Sequence, residues 1–241
     1  MDHFSDAKDL ISESKTTFSE IEKAYKDSLH DKTIKPTLLI KIKNFMENLR
    51  SALDYTAHGL FSKYGDSNFT GNIYFPYAWQ ELNRTEFRSQ NIINQKIPGI
   101  SVHRPDVVIK LEGYQHFASP SNSWLPKFMS LNNDNKHQKL TPQTRKETKE
   151  LRVSSGSVGL SLRGGATIKM SGNAQMRIGN AVVSGDHYFT SNNPIPFQGD
   201  AKQEIITWVS FHFSTNNEQV LPLLSQALKG VDTMVTELSA M

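Results

Sequence analysis

Residues 39–60 read LIKIKNFMENLRSALDYTAHGL, and they carry the clearest helical pattern of the chain. Apolar side chains recur there at intervals of three and four residues, a spacing that lines them up on one face of an α-helix. Gly65 follows the segment and is typical of a helix end. We expect this face to be buried at the centre of a helical unit. It comprises Leu39, Ile42, Phe45, Met46, Leu49, Ala52, Leu53, Thr56 and Leu60.

Further helices are predicted on both sides of this segment. Residues 5–29 and residues 217–241 each place apolar side chains at helical spacing among polar ones. Shorter helices are predicted over residues 79–93, 106–117 and 124–131.

The pattern changes after residue 152. Short alternating runs, such as residues 158–162 and 175–178, are separated by Gly-Gly, Ser-Gly and Gly-Asn pairs that are typical of hairpin turns. A longer strand is predicted over residues 204–214. The chain is therefore predicted to have an α+β fold, with an N-terminal helical unit followed by an antiparallel β sheet or small sandwich and a C-terminal helix.

These patterns divide the chain into three parts. Residues 1–135 are predicted to form a helical domain, and residues 153–241 a β domain with the C-terminal helix. Residues 136–152 lie between them and contain six basic and two acidic residues with few apolar ones. That composition predicts an exposed basic connector.

The composition narrows the classes of function. The chain has no cysteine, which excludes disulfides, thiolate-bound zinc and a cysteine nucleophile. Its net charge of +3 is too small to indicate nucleic-acid binding by itself. The first residues lack the pattern of a secretory signal, and no apolar run approaches the length of a membrane span. We therefore expect a cytoplasmic protein that is not bound to a membrane, and we predict no cofactor.

Metal and phosphate sites are not predicted either. The histidines stand without the i, i+4 pair and glutamate that a zinc protease helix requires. The glycine-rich residues 156–159 and 164–165 lack the lysine and the following helix of a phosphate loop.

Three motifs follow one another in the helical part of the sequence. They are NLRSALDY at residues 48–55, Phe75-Pro76, and LEGY at residues 111–114 with WL at residues 124–125 and LNNDNKH at residues 131–137. Their order resembles a widespread family of uncharacterised bacterial proteins with LRSALDH, FP, LQPY and W.L..L.N.DKHR motifs. The resemblance covers residues 39–140 and implies a helical core without a settled activity. Tyr55, Asn135 and Gln138 stand where the family has His, Asp and Arg.

The helical arrangement is also distantly similar to HEPN-type domains. Many of those domains are metal-independent ribonucleases that use an Arg and a His separated by four to six residues. In this sequence Arg50 and His58 have seven residues between them, so the HEPN motif itself is not matched.

Arg50, Asp54 and His58 form the first candidate catalytic site. Their spacing aligns them along one ridge of the predicted helix, beside its apolar stripe. A guanidinium can hold a phosphate, an imidazole can move protons near neutral pH, and a carboxylate can orient both groups. The alternative interpretation is a surface ion pair with an unrelated histidine.

Asp134, Lys136 and His137 form the second candidate catalytic group. If their helix packs antiparallel to the long one, these side chains would meet Arg50 and Asp54. The alternatives are a polar helix terminator and a purely structural ion pair.

The sequence leaves two functions open. No complete catalytic motif is present, and this favours a non-catalytic interaction or scaffold protein that forms a homo-oligomer or binds a protein partner. The alternative is a metal-independent, RNA-directed hydrolase or nucleotide-binding protein of a defence or toxin type. It would use Arg50, His58, Lys136 and His137, and the basic connector would contact phosphates.

Overall fold

Two long helices begin the fold. In a computed structural model, which describes residues 2–27, 34–137 and 142–241, helix α1 spans His3–Asp27 and α2 spans Pro36–Tyr64. Pro36 suits the first turn of α2, because its fixed φ is helical and its missing N–H would have no helical acceptor. The chain leaves the helix at Gly65, whose N–H donates to the Phe61 carbonyl at 2.7 Å.

The predicted apolar face of α2 is buried. Phe45, Leu49, Ala52, Leu53 and Leu60 have no exposed surface, so the prediction is confirmed for these residues, whereas Leu39 is only half-buried. Helices α1, α7 (Trp124–His137) and α8 (Val220–Ser239) pack against α2. Helix α2 is therefore the central element of the helical core.

Two glycines let helices and rings approach closely in this core. A Cβ atom on Gly59 of α2 would lie 2.7 Å from the Phe4 ring, and one on Gly230 of α8 would lie 2.1 Å from Trp124. Both distances are shorter than carbon atoms tolerate, so these two contacts depend on glycine.

Five short helical elements lie between α2 and α7 in the sequence. They are α3 (Arg84–Ser89), α4 (Ile92–Lys96), α5 (Ile100–His103), α6 (Pro105–Gly113) and a 3₁₀ turn at Pro120–Asn122.

The single helix predicted over residues 79–93 is wrong. Helix α3 begins only after Asn83, whose side chain accepts from the Glu86 N–H at 3.0 Å while the Glu86 side chain accepts from the Asn83 N–H at 3.1 Å. This reciprocal pair is a capping box, which marks a helix start. Asn91 then adopts a left-handed conformation with φ of 52° and separates α3 from α4.

The strands form three antiparallel groups. A three-stranded sheet has the order β2–β1–β7, while β3 pairs with β6 and β4 with β5. The strands are β1 (Gln143–Ser155), β2 (Val158–Arg163), β3 (Thr167–Met170), β4 (Gln175–Ile178), β5 (Ala181–Ser184), β6 (His187–Thr190) and β7 (Lys202–Phe213). The predicted α+β fold is confirmed.

A small apolar core holds these strands together. Inward-facing side chains of β1 alternate with outward-facing ones, as the pleat of a strand requires. The buried set is Leu151, Val153, Leu162, Met170, Ile178, Val183, Phe189 and Ile195.

The chain forms two compact units whose boundaries differ from those predicted. One unit contains residues 1–144 and 212–241, and the other contains residues 145–211. Residues 143–152 of the predicted connector belong to β1, while its residues 138–141 lie outside the described residues. Helix α8 belongs to the helical unit and not to the β unit, since its apolar face packs on α1 and α2. Within the described residues, no helix is both long and apolar enough to span a bilayer.

Candidate functional site

Arg50 and Asp54 form an ion pair on α2. The Arg50 Nε donates to Asp54 Oδ2 at 3.1 Å, and the side chains are only 13% and 22% exposed. An ion pair between these two residues is the contact that the alternative interpretation of the ridge proposed. It is a one-turn pair, but its low exposure distinguishes it from an ordinary surface ion pair.

The other Asp54 oxygen fixes an extended segment, Phe75–Ala78, which we call the clamped segment. Asp54 Oδ1 accepts from the Phe75 N–H at 2.9 Å. At the other end, the buried Gln115 accepts from the Ala78 N–H at 2.8 Å and donates to the Pro76 carbonyl at 3.3 Å. Two side chains therefore satisfy backbone groups that no strand partner reaches.

Arg50 is enclosed by two further side chains. Its Nη1 lies 2.7 Å from the Met129 sulfur on α7, and its guanidinium carbon lies 5.5 Å from the centre of the Tyr77 ring. The Tyr77 ring belongs to the clamped segment, so Arg50 links α2, α7 and that segment. Its guanidinium thus contacts protein groups where a phosphate-binding arginine would face solvent or ligand.

His58 lies beside another histidine. The ring centres of His3 and His58 are 5.4 Å apart. Burial and the nearby charge of His3 lower the pKa of His58, while the Asp54 carboxylate acts in the opposite direction. His58 makes no hydrogen bond to Asp54 within the described part of the chain, so the ridge does not form a connected triad.

The second predicted group lies further along α7. Met129 contacts Arg50, and the Asn132 side chain donates to the Met46 carbonyl at 3.2 Å, so α7 runs antiparallel to α2. Asp134 is five residues beyond Met129, or about 7.5 Å along the helix axis. Among the described residues it forms no hydrogen bond or ion pair with Arg50 or Asp54. The side chains of Lys136 and His137 lie outside the described residues.

The motif segments therefore meet around the clamped segment. The first motif supplies Arg50 and Asp54, and the second supplies the clamped segment itself. Gln115 directly follows the third, and Met129 and Asn132 come from the region that begins at Trp124. The sequence did not predict the role of Gln115 in this cluster. The only signal for it is a polar residue that directly follows the apolar positions of a short helix. The contacts of these residues are those of a structural cluster.

The outer face of the three-stranded sheet carries a different polar cluster, which the sequence did not predict. Glu150 of β1 is buried and accepts from Arg152 Nε at 2.7 Å, Ser161 Oγ at 2.7 Å and Trp208 Nε1 at 2.5 Å. These donors, Arg152 foremost, lower the pKa of Glu150 to about 2. The carboxylate is therefore ionised at neutral pH and holds its three partners in place.

Two cations flank the Trp208 ring of this cluster. The guanidinium carbon of Arg163 lies 4.8 Å from the ring centre, and that of Arg152 lies 6.0 Å from it. Trp208 is 40% exposed, which is high for the largest aromatic side chain. A depression of about 390 Å³ adjoins the cluster and includes Arg152, Ser161, Lys202 and Glu204 in its wall.

A second depression and the arrangement of potential metal ligands give no indication of a functional site. A depression of about 520 Å³ between α1 and α2 is lined by Ile40 and otherwise by polar side chains, and it contains none of the predicted site residues. No group of three or more potential metal ligands occurs within residues 2–27, 34–137 and 142–241.

No family model, curated protein or solved structure matches this chain. The resemblance to the bacterial family with the LRSALDH motif therefore remains an expectation based on the motifs.

Proposed function

We propose that this protein is a non-catalytic interaction protein. The observation that supports the proposal is the engagement of Arg50 and Asp54. Their charged groups contact each other, the Phe75 N–H, Met129 and Tyr77. Groups that hold backbone and side chains in this way stabilise a fold, and they are not available to bind a phosphate or to orient a base.

The RNA-directed hydrolase has less support. It requires Arg50 and His58 to act together on a phosphate, yet the guanidinium is enclosed and the imidazole lies beside His3. It also requires acidic and basic groups of α7 to join the ridge, and Asp134 lies about a turn and a half beyond the Met129 contact.

An RNA cleavage assay in EDTA tests the proposal. Wild-type protein is incubated with labelled single-stranded RNA, alongside the Arg50→Ala and His137→Ala variants. We expect no cleavage by any of the three proteins. Cleavage by the wild type that is lost in a variant with unchanged stability would overturn the proposal.

Urea unfolding of the same proteins tests the structural role of Arg50. We expect Arg50→Ala to lower the free energy of unfolding by about 1.5–3 kcal/mol, because charged hydrogen bonds are lost and Asp54 stays partly buried without its partner. Arg88→Ala is the matched control. Arg88 also pairs with a carboxylate, Glu112, but its side chain is 64% exposed, and we expect a loss below about 1 kcal/mol. Equal losses in the two variants would contradict the structural role.

A further inference from the structure

The outer face of the sheet β2–β1–β7 presents an ordered aromatic ring between cations. We call Glu150, Arg152, Ser161, Arg163 and Trp208 the Trp208 platform. Glu150 pairs with Arg163 across the β1–β2 ladder, and Arg152 pairs with Ser161 two residues further on. The opposite face of β1 carries Leu151 and Val153 in the core, so the pleat directs all these polar groups to the other side.

Buried hydrogen bonds fix the ring of the platform. The Trp208 N–H donates to Glu150, whose second oxygen accepts from Arg152 and Ser161. Because the carboxylate has three donors and little exposed surface, the indole cannot turn away without leaving a buried charge with one partner fewer. A ring held in one orientation loses little conformational entropy when a ligand binds to it.

Positive charge lies over the ring and beside it. Arg163 contacts the Trp208 ring but has no carboxylate partner among the described residues, and Arg152 uses only its Nε for Glu150 while its side chain is 52% exposed. Lys202 adds a third cation in the wall of the adjoining depression, where Glu204 is the one acidic side chain. Residues 145–211 as a whole contain eight Lys and Arg against five Asp and Glu. An anion is therefore favoured at this face.

We propose that the Trp208 platform binds single-stranded nucleic acid. A base stacks on the exposed part of Trp208 and on the guanidinium groups that lie over the ring, and the sugar-phosphate backbone contacts Arg163, Arg152 and Lys202. This inference names the partner of the proposed interaction protein and rests on that proposal. Aromatic rings beside basic groups are the general means by which proteins bind unpaired nucleotides, since every base offers a π-face and every linkage a phosphate.

An acidic peptide is the main competitor for the same surface. It would use the cations, but it would gain nothing from a fixed and exposed indole. Double-stranded nucleic acid fits less well, because its bases are stacked on each other and unavailable to the ring. The ring, together with an Arg163 side chain that no carboxylate neutralises within the described residues, favours unpaired nucleotides.

Fluorescence anisotropy with the full-length protein tests the inference. The probes are fluorescein-labelled oligo(U) and oligo(dT) of about 12 nucleotides, a length within the range that single-strand binding domains cover. Trp208→Ala should weaken binding roughly tenfold to a hundredfold, the range for loss of one base-stacking contact. Trp208→Phe keeps a stacking ring and should retain most of the affinity.

The salt dependence separates phosphate contacts from general attraction. Arg163→Gln should weaken binding and reduce the slope of log K against log salt by about 0.7, the value for one lost phosphate contact on a single strand. Arg177→Gln is the matched control, because Arg177 is an exposed arginine of the same unit that lies on β4. It should change the affinity less than twofold and leave the slope unchanged.

Several results would overturn the inference. The first is no binding at low salt, and the second is binding that Trp208→Ala and Arg163→Gln leave unchanged in folded protein. The third is binding of a glutamate-rich peptide as tight as that of the oligonucleotides, which Arg163→Gln weakens and Trp208→Ala leaves unchanged. The last result would identify an acidic peptide as the ligand. Each of them would leave the non-catalytic proposal standing, because only RNA cleavage tests that proposal.

Discussion

Gln115 is fully buried, and each donor or acceptor of its side-chain amide faces a matching acceptor or donor of the backbone. The oxygen accepts from Ala78, and the nitrogen donates to the Leu111 and Pro76 carbonyls at 2.8 and 3.3 Å. Glu at this position would place a charge opposite two carbonyl groups, and Leu would leave the Ala78 N–H unpaired. Single polar side chains of this kind fix the clamped segment, which has no strand partner of its own.

His58 makes the stability of the fold depend on pH. Its pKa in the folded protein is lowered, mainly by burial, whereas the unfolded chain has the ordinary value of about 6.5. As the pH falls through about 6.5 the unfolded chain takes up the proton more readily, so stability decreases. We expect urea unfolding to show lower stability at about pH 5.5 than at about pH 7.5, with a smaller difference in His58→Gln. An equal pH dependence in the variant would contradict this.

Contacts between individual side chains are the feature that the sequence predicts least well. The spacing of Arg50 and Asp54 allows an ion pair between them, because both lie on one helix, and the structure contains that pair. The roles of Met129 and Gln115 depend on where α7 and α6 pack, and no local spacing contains that information. The positions of Lys136 and His137 side chains remain predictions.

At the scale of the elements, β1 was missed for a physical reason. Its first half is polar and largely exposed, and only its second half buries Leu151 and Val153. The sequence therefore lacks apolar alternation over much of the strand, and a basic run of this kind is typical of a connector. Strand β1 lies between β2 and β7, and its pairing with β2 runs from Glu150 to Ser155. Backbone hydrogen bonds between strands stabilise β1, and any side chain permits them. Helices α1, α2 and α8 were predicted because one face of each is buried along its whole length.

Gly230 tests the packing of α8. An alanine there has better helix propensity by about 1 kcal/mol, but its Cβ would overlap the Trp124 ring. We expect Gly230→Ala to lower the free energy of unfolding by about 1–3 kcal/mol, because overpacking outweighs propensity.

Gly113→Ala provides the control for this prediction. Gly113 is the last residue of α6, and a Cβ atom there would meet nothing within 4 Å. This variant should be as stable as the wild type or more stable by up to about 1 kcal/mol. Urea unfolding of both variants measures the difference, and a stable Gly230→Ala would show that Trp124 moves aside freely.

At the scale of the whole molecule, residues 145–211 interrupt the helical unit between α7 and α8. The chain leaves and re-enters that unit at neighbouring points. The Ser214 N–H donates to the Pro142 carbonyl at 2.9 Å, and the hydroxyl groups of Thr144 and Ser214 are 3.0 Å apart. A short link can therefore join the two ends without distorting the helical unit.

Excision of the interrupting segment tests this organisation. Residues 1–144 joined through a short Gly-Ser linker to residues 212–241 should form a helical protein that unfolds cooperatively on heating, as measured by circular dichroism. The comparison is the same spliced chain truncated after residue 219, which therefore lacks α8. We expect it to lose cooperative unfolding, because the apolar surfaces of α1 and α2 that α8 covers become exposed. A spliced chain without cooperative unfolding would show that the helical unit needs residues 145–211.

The late position of α8 in the chain has a consequence during translation. Helices α1 and α2 leave the ribosome first, but α8, which packs on both, follows only after residues 65–219 have been made. At about 5–20 residues per second this delay is roughly 8–31 seconds. For that time the nascent chain carries two long helices with an uncovered apolar face, which is the form that chaperones bind. Helices α1 and α2 thus gain one of their packing partners only after the β unit has been synthesised.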